Sequence, residues 1–211
     1  MSILAGLLGA ARTTEHPSPP EHARELQDIV LDDSAGQPVR LGDLWRDQPA
    51  VLIFLRHYGC LFSRDYVVAL HRDRHRFAAA GARLVAIGPG TPAQASRFLE
   101  DHGAQLPLLV DPGRRSYRAA GARTAALVEL VGPRIVMRGV IRMVDSRLAR
   151  RRVSVSPGRM MHHGRQLGGV LVVAPDGSVR YAHISQDASD NPPLREVLSA
   201  VRAIRPHSEP R

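Results

Sequence analysis

The sequence predicts an α/β fold built on a buried core of parallel strands. Residues 50–55, AVLIFL, form an unbroken apolar run that is too short to span a membrane and has the length of a strand buried on both faces. Strand-like and helix-like segments then alternate, which favours parallel strands joined by right-handed crossovers. The chain has 211 residues and 44% hydrophobic content, which suit a single domain with one core.

Each element has its own local signal. A first strand is predicted over 26–31, and the turn-forming stretch DDSAGQP leads from it to the apolar Val39 and Leu41. Apolar residues after position 60 recur at helical spacing, and the stretch PDGS predicts a tight hairpin. The other predicted elements are a strand over 83–87, a helix over 93–102, a strand over 106–110, a short helix over 114–120, hairpin strands over 170–173 and 179–183, and a closing amphipathic helix over 194–204.

The single cysteine lies between the strand predicted over 50–55 and the helix predicted after position 60. The polar turn RHYG separates the strand from Cys60, which therefore stands at the start of the helix. The first amides of a helix have no internal partners and carry about half a positive charge, which favours an anion such as a thiolate. Cys60 is therefore the candidate nucleophile, and the alternative is that it is a small buried apolar residue.

Four polar residues around Cys60 could serve its chemistry. Arg56 and His57 precede it and Arg64 lies one helical turn further on, so these are the available cations. Ser63 can donate a hydrogen bond to the sulfur. His71 and His75 are four residues apart on the same predicted helix, but no third ligand accompanies them, so neither a metal nor a cofactor is predicted.

The run FLRHYGCLFSR resembles the active-site segment of the peroxiredoxin-like branch of the AhpC/TSA proteins, whose usual form is close to FxRxxGCxxCR. Similar segments cover about residues 26–123 and 166–200. The resemblance implies a thioredoxin-like fold, with a central mixed sheet flanked by helices. It also implies a thiol-dependent antioxidant oxidoreductase with Cys60, Arg64, His57 and Ser63 in its active site.

Four positions depart from the family pattern. Ser63 replaces the second cysteine, so the chain cannot form an internal disulfide. His57 and Ile53 stand where peroxiredoxins generally have threonine and proline, and Gly168 stands where a late strand commonly begins with arginine. We therefore expect a one-cysteine cycle in which a peroxide oxidises Cys60 and an external thiol, glutathione or a thioredoxin-type protein, restores it. Monothiol exchange with a disulfide substrate is the alternative.

An arginine-rich insert is predicted at about residues 124–165. Its apolar residues from Met137 to Leu148 can form one helical face with arginines around it, a pattern that suits an acidic partner or a membrane surface. A non-catalytic thioredoxin-fold protein that uses this segment as an interaction module is the rival hypothesis. No aromatic residues interleave the arginines, so specific nucleic-acid binding is not predicted.

The predicted organisation is a flexible N-terminal segment over 1–24, one domain over 25–205 that contains the insert, and a disordered tail over 206–211. One cysteine fits a reducing compartment, and residues 2–11 lack the positive leading region of a signal peptide, so a cytoplasmic location is expected. A homodimer is the candidate assembly. The net charge is +9, and the strongly basic residues are all arginine. This positive charge should attract anions.

Overall fold

The computed structural model describes residues 19–124 and 165–204. Most of the predicted flexible N-terminal segment, most of the arginine-rich insert and the C-terminal tail lie outside these residues. Within them, no helix is long and apolar enough to cross a membrane.

Seven strands and five helices make up the described structure. The strands are β1 (Val30–Asp33), β2 (Pro38–Arg40), β3 (Ala50–Phe54), β4 (Arg83–Gly88), β5 (Leu108–Val110), β6 (Gly169–Val173) and β7 (Val179–Ile184). The helices are α1 (Arg24–Gln27), α2 (Leu61–Ala79), α3 (Pro92–His102), α4 (Arg115–Ala119) and α5 (Leu194–Arg202), with a short 3₁₀ helix at Leu41–Leu44.

All the strands belong to one mixed sheet in the order β2-β1-β5-β4-β3-β6-β7. The central strands β3, β4 and β5 run parallel, as the alternating sequence pattern predicts. The outer strands pair antiparallel, β1 with β2 and β5 on one side and β6 with β3 and β7 on the other. The predicted mixed sheet flanked by helices is therefore present.

The apolar run of β3 is explained by burial on both faces of the sheet. Its odd-numbered residues, Val51 and Ile53, pack in one core layer with α2, α3 and α5, and its even-numbered Leu52 and Phe54 pack in a second layer on the opposite face. The second layer is closed by α1, the 3₁₀ helix and α4. Burial of both faces removes the polar alternation of a surface strand.

The first predicted strand is wrong at its start. Residues 24–27 form the short helix α1 instead, and β1 begins only at Val30. Leu26 is fully buried in the second core layer, and its backbone amide is hydrogen-bonded to the Ala23 carbonyl at 3.0 Å. A single helical turn and a strand both bury an isolated leucine, so the sequence pattern did not distinguish them. Leu41 likewise opens the 3₁₀ helix rather than continuing β2.

Tyr117 of α4 joins the carboxyl ends of the two central strands. Its side chain is fully buried, and its hydroxyl oxygen lies 2.6 Å from the Leu55 carbonyl and 2.9 Å from the Ile87 carbonyl. The Ile87 carbonyl also accepts the Leu55 amide at 2.8 Å, so the hydroxyl completes a polar cluster inside the core. This cluster fixes the point at which the chain leaves β3 for the turn before Cys60.

The change Tyr117→Phe should lower the free energy of unfolding by about 1–2 kcal/mol, because a buried carbonyl loses its hydroxyl donor while the ring packing remains. Urea unfolding followed by circular dichroism measures the loss. Tyr181→Phe on β7 is the matched control, since its hydroxyl makes no hydrogen bond within the described residues, and it should change stability little. Equal losses of stability in the two variants would show that the Tyr117 hydroxyl does not stabilise the ends of β3 and β4.

The predicted hairpin at PDGS is present and links β6 to β7. Gly177 adopts a left-handed conformation with φ of 79°, and the Asp176 carboxylate accepts hydrogen bonds from the Ser178 hydroxyl at 2.5 Å and the Ser178 amide at 2.9 Å. Those two bonds, with the charge of Arg180, hold the pKa of Asp176 below its ordinary value. An ionised Asp176 therefore stabilises the turn.

A carboxyl group with a lowered pKa stabilises the fold above its ordinary pKa, and the stabilisation is lost as the pH falls through the folded-state value. Asp176→Asn should therefore reduce the urea midpoint at pH 7 and make little difference at pH 3. The effect should be small because Asp176 is exposed. The control Asp101→Asn on α3 lies outside any turn of this kind. A loss for Asp176→Asn that is the same at both pH values would refute the assignment to ionisation.

Candidate active site

Cys60 lies at the junction of β3 and α2, where the sequence places it. Its backbone is extended, with φ of −79° and ψ of 120°, and its carbonyl accepts the first helical hydrogen bond, from the Arg64 amide at 3.0 Å. The Cys60 amide donates to the His57 carbonyl at 3.0 Å, which closes the turn RHYG. The side chain of Cys60 makes no capping bond to the helix, so the sulfur is not used to satisfy the amides of α2.

Arg56 is the cation that contacts the sulfur. Its Nη1 atom lies 3.4 Å from Cys60 Sγ, and Cys60 is only 5% exposed. The same guanidinium donates from Nε to the Gln166 carbonyl at 3.2 Å, which fixes its plane. A guanidinium is always charged at physiological pH, so Arg56 places a fixed positive charge beside the sulfur at the amino end of α2.

Ser63 supports Arg56 rather than the sulfur. Its buried hydroxyl accepts a hydrogen bond from the Arg56 backbone amide at 3.3 Å. Within the described residues, the Ser63 hydroxyl does not form the hydrogen bond to the Cys60 sulfur that the sequence suggested. The serine that replaces the family's second cysteine thus holds the backbone of the arginine that faces the thiol.

Arg64 and His57 are the other two predicted cations. Arg64 donates from Nε and Nη2 to Asp65 at 3.0 and 2.7 Å, so its charge is balanced by an adjacent carboxylate. His57 contributes its backbone carbonyl to the turn, and its side chain is half-buried. The contact of a cation with the sulfur comes from Arg56, which the sequence indicated only as one of three candidates.

Gln166 is a site residue that the sequence analysis missed. It is 3% exposed, and its side-chain amide donates to the carbonyls of Arg123 and Leu167, each at 3.0 Å, while its own carbonyl receives Arg56. A glutamine between a basic insert and a strand has no distinguishing sequence pattern. Only the fold shows that its backbone reaches the active-site arginine.

Gly168 explains why the late strand lacks an arginine. A Cβ atom built on Gly168 would overlap the Phe54 carbonyl oxygen, and that oxygen belongs to the backbone and cannot move aside. The strand β6 therefore approaches the end of β3 too closely to carry a side chain at this point. The guanidinium at the sulfur comes from Arg56, in the turn before Cys60.

Tyr58 anchors the turn in the core. It is buried, its ring lies 5.2 Å from that of Phe98, and Cβ atoms on Gly88 or Gly90 would overlap it. Burial raises the pKa of Tyr58 above its usual value, so the hydroxyl stays neutral. Gly88 at the end of β4 and Gly90 just after it therefore make space for this ring.

The described residues contain no cluster of three or more His, Cys, Asp or Glu side chains able to hold a metal. His71 instead accepts a hydrogen bond at Nδ1 from the Gln105 amide, at 2.9 Å. That bond occupies one of the two ring nitrogens of His71 and gives the residue a structural role between α2 and the loop before β5.

A sheet of this topology with a cysteine at the amino end of its main helix defines a thiol-based redox protein of the thioredoxin-like class. A family model described as AhpC/TSA antioxidant enzyme matches residues 69–187. The chain belongs to this family. The matched span begins after Cys60, so the assignment depends on the scaffold and is independent of the cysteine motif.

Two similar proteins and one solved structure are consistent with this family assignment. The chain is 30% identical over 182 residues to the chloroplastic thioredoxin-like protein AAED1 of Arabidopsis thaliana, covering 86% of this chain and 73% of that one. It is 26% identical over 198 residues to human peroxiredoxin-like 2C, covering 92% and 88%. The crystal structure of peroxidoxin BcpB from Mycobacterium tuberculosis superimposes with a TM-score of 0.61 at 20% identity, covering 90% and 100%. The predicted thioredoxin-like, peroxiredoxin-like fold is confirmed, and the family supports a thiol-dependent redox function.

The change Gln166→Ala should slow alkylation of Cys60 by iodoacetamide at pH 7 about two- to fivefold, since it removes two hydrogen bonds that hold the carbonyl facing Arg56. Gln186→Ala is the matched control, because Gln186 contacts the Arg123 side chain at 2.6 Å and leaves the Gln166 bonds intact. Alkylation is followed by mass spectrometry. An unchanged rate for Gln166→Ala, with an unchanged melting temperature, would exclude a positioning role.

Proposed function

We propose that the protein is a one-cysteine thiol peroxidase that reduces peroxides through Cys60 and is regenerated by an external thiol. The observation that carries the proposal is the 3.4 Å contact between Arg56 Nη1 and Cys60 Sγ at the start of α2. A buried cysteine kept only for packing needs no charged partner, whereas a nucleophilic thiolate does. Membership of the AhpC/TSA family supports the same chemistry.

In the first step the Cys60 thiolate attacks the terminal oxygen of a hydroperoxide. The sulfur–oxygen bond forms as the oxygen–oxygen bond breaks, and the departing alkoxide takes up a proton to leave as an alcohol or water. Cys60 becomes a sulfenic acid. Arg56 serves first as the counter-ion of the thiolate and then as a fixed positive charge beside the leaving oxygen, where charge develops in the transition state.

In the second step a thiol attacks the sulfenic acid, water leaves, and a mixed disulfide forms on Cys60. A second thiol reduces this disulfide and restores the cysteine. Both thiols come from outside because Cys60 is the only cysteine of the chain. Glutathione and a thioredoxin-type protein are the proposed reductants, and a reducing compartment such as the cytoplasm is the proposed location.

The neighbouring residues act by holding Arg56 and the turn. Ser63 binds the Arg56 amide, the His57 carbonyl binds the Cys60 amide, and the ion pair of Arg64 with Asp65 fixes the first turn of α2. In this proposal Arg56 and Cys60 meet the substrate, and the other three keep the geometry. No metal or cofactor takes part.

Monothiol exchange with a disulfide is the second candidate. A disulfide substrate needs both its sulfur atoms in line with the attacking Cys60 sulfur, and the 5% exposure of Cys60 favours the smaller peroxide. The rival interaction module would use the arginine-rich insert, with an acidic partner or a membrane surface as its target. These partners remain predictions from the sequence.

Cys60→Ser should abolish peroxide turnover supported by glutathione or by a thioredoxin system, because the chain has no other thiol that a peroxide can oxidise and an external thiol can restore. Turnover is measured as peroxide consumed over time. Stoichiometric peroxide followed by dimedone should label Cys60 in the wild-type protein, as shown by mass spectrometry. Turnover that survives in Cys60→Ser would refute the proposal, and glutathionylation of Cys60 by oxidised glutathione without dimedone labelling would favour disulfide exchange.

Arg56→Lys tests the contact itself. Lysine keeps the charge but loses the planar guanidinium that spans Cys60 and the Gln166 carbonyl, so the rate constant for Cys60 oxidation should fall about tenfold or more. The matched control is Arg46→Lys, because Arg46 is an exposed arginine that pairs with Asp43 away from the cysteine. Equal oxidation rates in wild type and Arg56→Lys would show that Arg56 only packs beside the thiol.

A further inference from the structure

A groove of about 460 Å³ opens at the amino ends of the parallel strands, the end of the sheet away from Cys60. It is lined by the first residues of β4, the residues just before β5 and the later part of α2. Because β3, β4 and β5 run parallel, their amino ends lie together at one end of the sheet. Cys60 follows the carboxyl end of β3, at the opposite end. Nothing in the peroxidase proposal uses this groove.

Two arginines in the groove carry charge that no carboxylate balances. Arg74 donates from Nη1 to the His71 carbonyl at 2.7 Å, and Arg83 donates from Nη1 to the Asp43 carbonyl at 3.1 Å. These two acceptors are neutral backbone oxygens, Arg74 Nη1 also lies 3.5 Å from the His71 ring nitrogen Nε2, and within residues 19–124 and 165–204 neither arginine forms a salt bridge. The groove lining contains no aspartate or glutamate, and it includes His75 as a third basic side chain.

The other arginines of the same helix show the contrast. Arg72 and Arg76 both pair with Asp73, at 3.5 and 3.3 Å, and lie outside the groove. Asp73 offsets one of these two charges, whereas no salt bridge within the described residues offsets either guanidinium in the groove. A cleft lined by charge of one sign raises the local concentration of the opposite ion.

The basic groove is held in shape by His71. Its ring accepts the Gln105 amide at 2.9 Å, and its carbonyl holds Arg74, so one residue links α2, the loop before β5 and the first guanidinium. Gln105 itself lines the groove. A site whose cations are already positioned loses less side-chain entropy when a ligand binds.

The remaining wall of the groove is apolar. Leu84, Leu106 and Pro107 contribute to it, together with two alanines near the end of α2. A volume of about 460 Å³ falls in the usual range of small-molecule sites. The lining therefore combines a fixed pair of cations with a surface suited to hydrocarbon.

We propose that this groove binds a small organic anion, in which a carboxylate or phosphate group meets Arg74 and Arg83 and an apolar part covers Leu84, Leu106 and Pro107. Guanidinium groups pair with both of these anions through parallel hydrogen bonds. The ligand site is separate from Cys60, so the protein can hold such an anion in either redox state of the cysteine.

Calorimetric titration of the full chain at low salt tests the proposal with octyl phosphate, inorganic phosphate and octanol as probes. Octyl phosphate should bind, inorganic phosphate should bind at least tenfold more weakly, and octanol should give no measurable binding. Arg74→Gln should weaken octyl phosphate binding about tenfold, and the matched control Arg72→Gln, which removes the same charge outside the groove, should change it less than twofold. Alkylation of Cys60 beforehand should leave the affinity unchanged.

Four outcomes would overturn the proposal. These are an absence of octyl phosphate binding at millimolar concentration, equal affinity in Arg74→Gln, equal affinity for octanol, or loss of binding on alkylation of Cys60. Arg83→Lys serves as a second variant, and it should also weaken binding because it removes the guanidinium but keeps the charge. Loss of peroxidase activity in Cys60→Ser does not bear on these results.

Discussion

The burial of β3 at the centre of the sheet is the constraint on which the rest of the structure depends. The strand pairs with β4 on one edge and β6 on the other, and both of its faces lie in core layers. No part of the strand can shift without disturbing two ladders and two layers. The direction in which the chain leaves β3 is therefore fixed, and with it the start of α2 and the position of Cys60.

The close approach of β6 to β3 determines which arginine meets the sulfur. At Gly168 the backbones are so near that no side chain fits, so the late strand cannot provide a cation from that position. The turn after β3 provides Arg56 instead, and the neighbouring segment before β6 supplies the Gln166 carbonyl that orients it. Two departures from the family pattern, the glycine and the serine at position 63, thus belong to one arrangement. Ser63 holds the backbone of the same arginine.

Much of the fold could be predicted from the sequence because its signals are local. The uninterrupted apolar run of β3, the Asp-Gly turn and the helical spacing after Cys60 each reflect the burial or backbone geometry of a few consecutive residues. The pattern was insufficient at Leu26, where a single turn of helix buries the residue as well as a strand does. It was also insufficient for Tyr58, whose ring is accommodated by glycines thirty or more positions away.

The candidate site was predictable in its centre and not in its surroundings. By itself the sequence determined that one cysteine begins a helix after a buried strand, that cations flank it, and that no second cysteine can resolve it. The tertiary structure alone decided that Arg56 rather than Arg64 reaches the sulfur, and that Gln166 orients it. The physical reason is that strand burial and helix starts are properties of neighbouring residues, whereas the direction of a guanidinium depends on carbonyls and carboxylates that folding brings from distant parts of the chain.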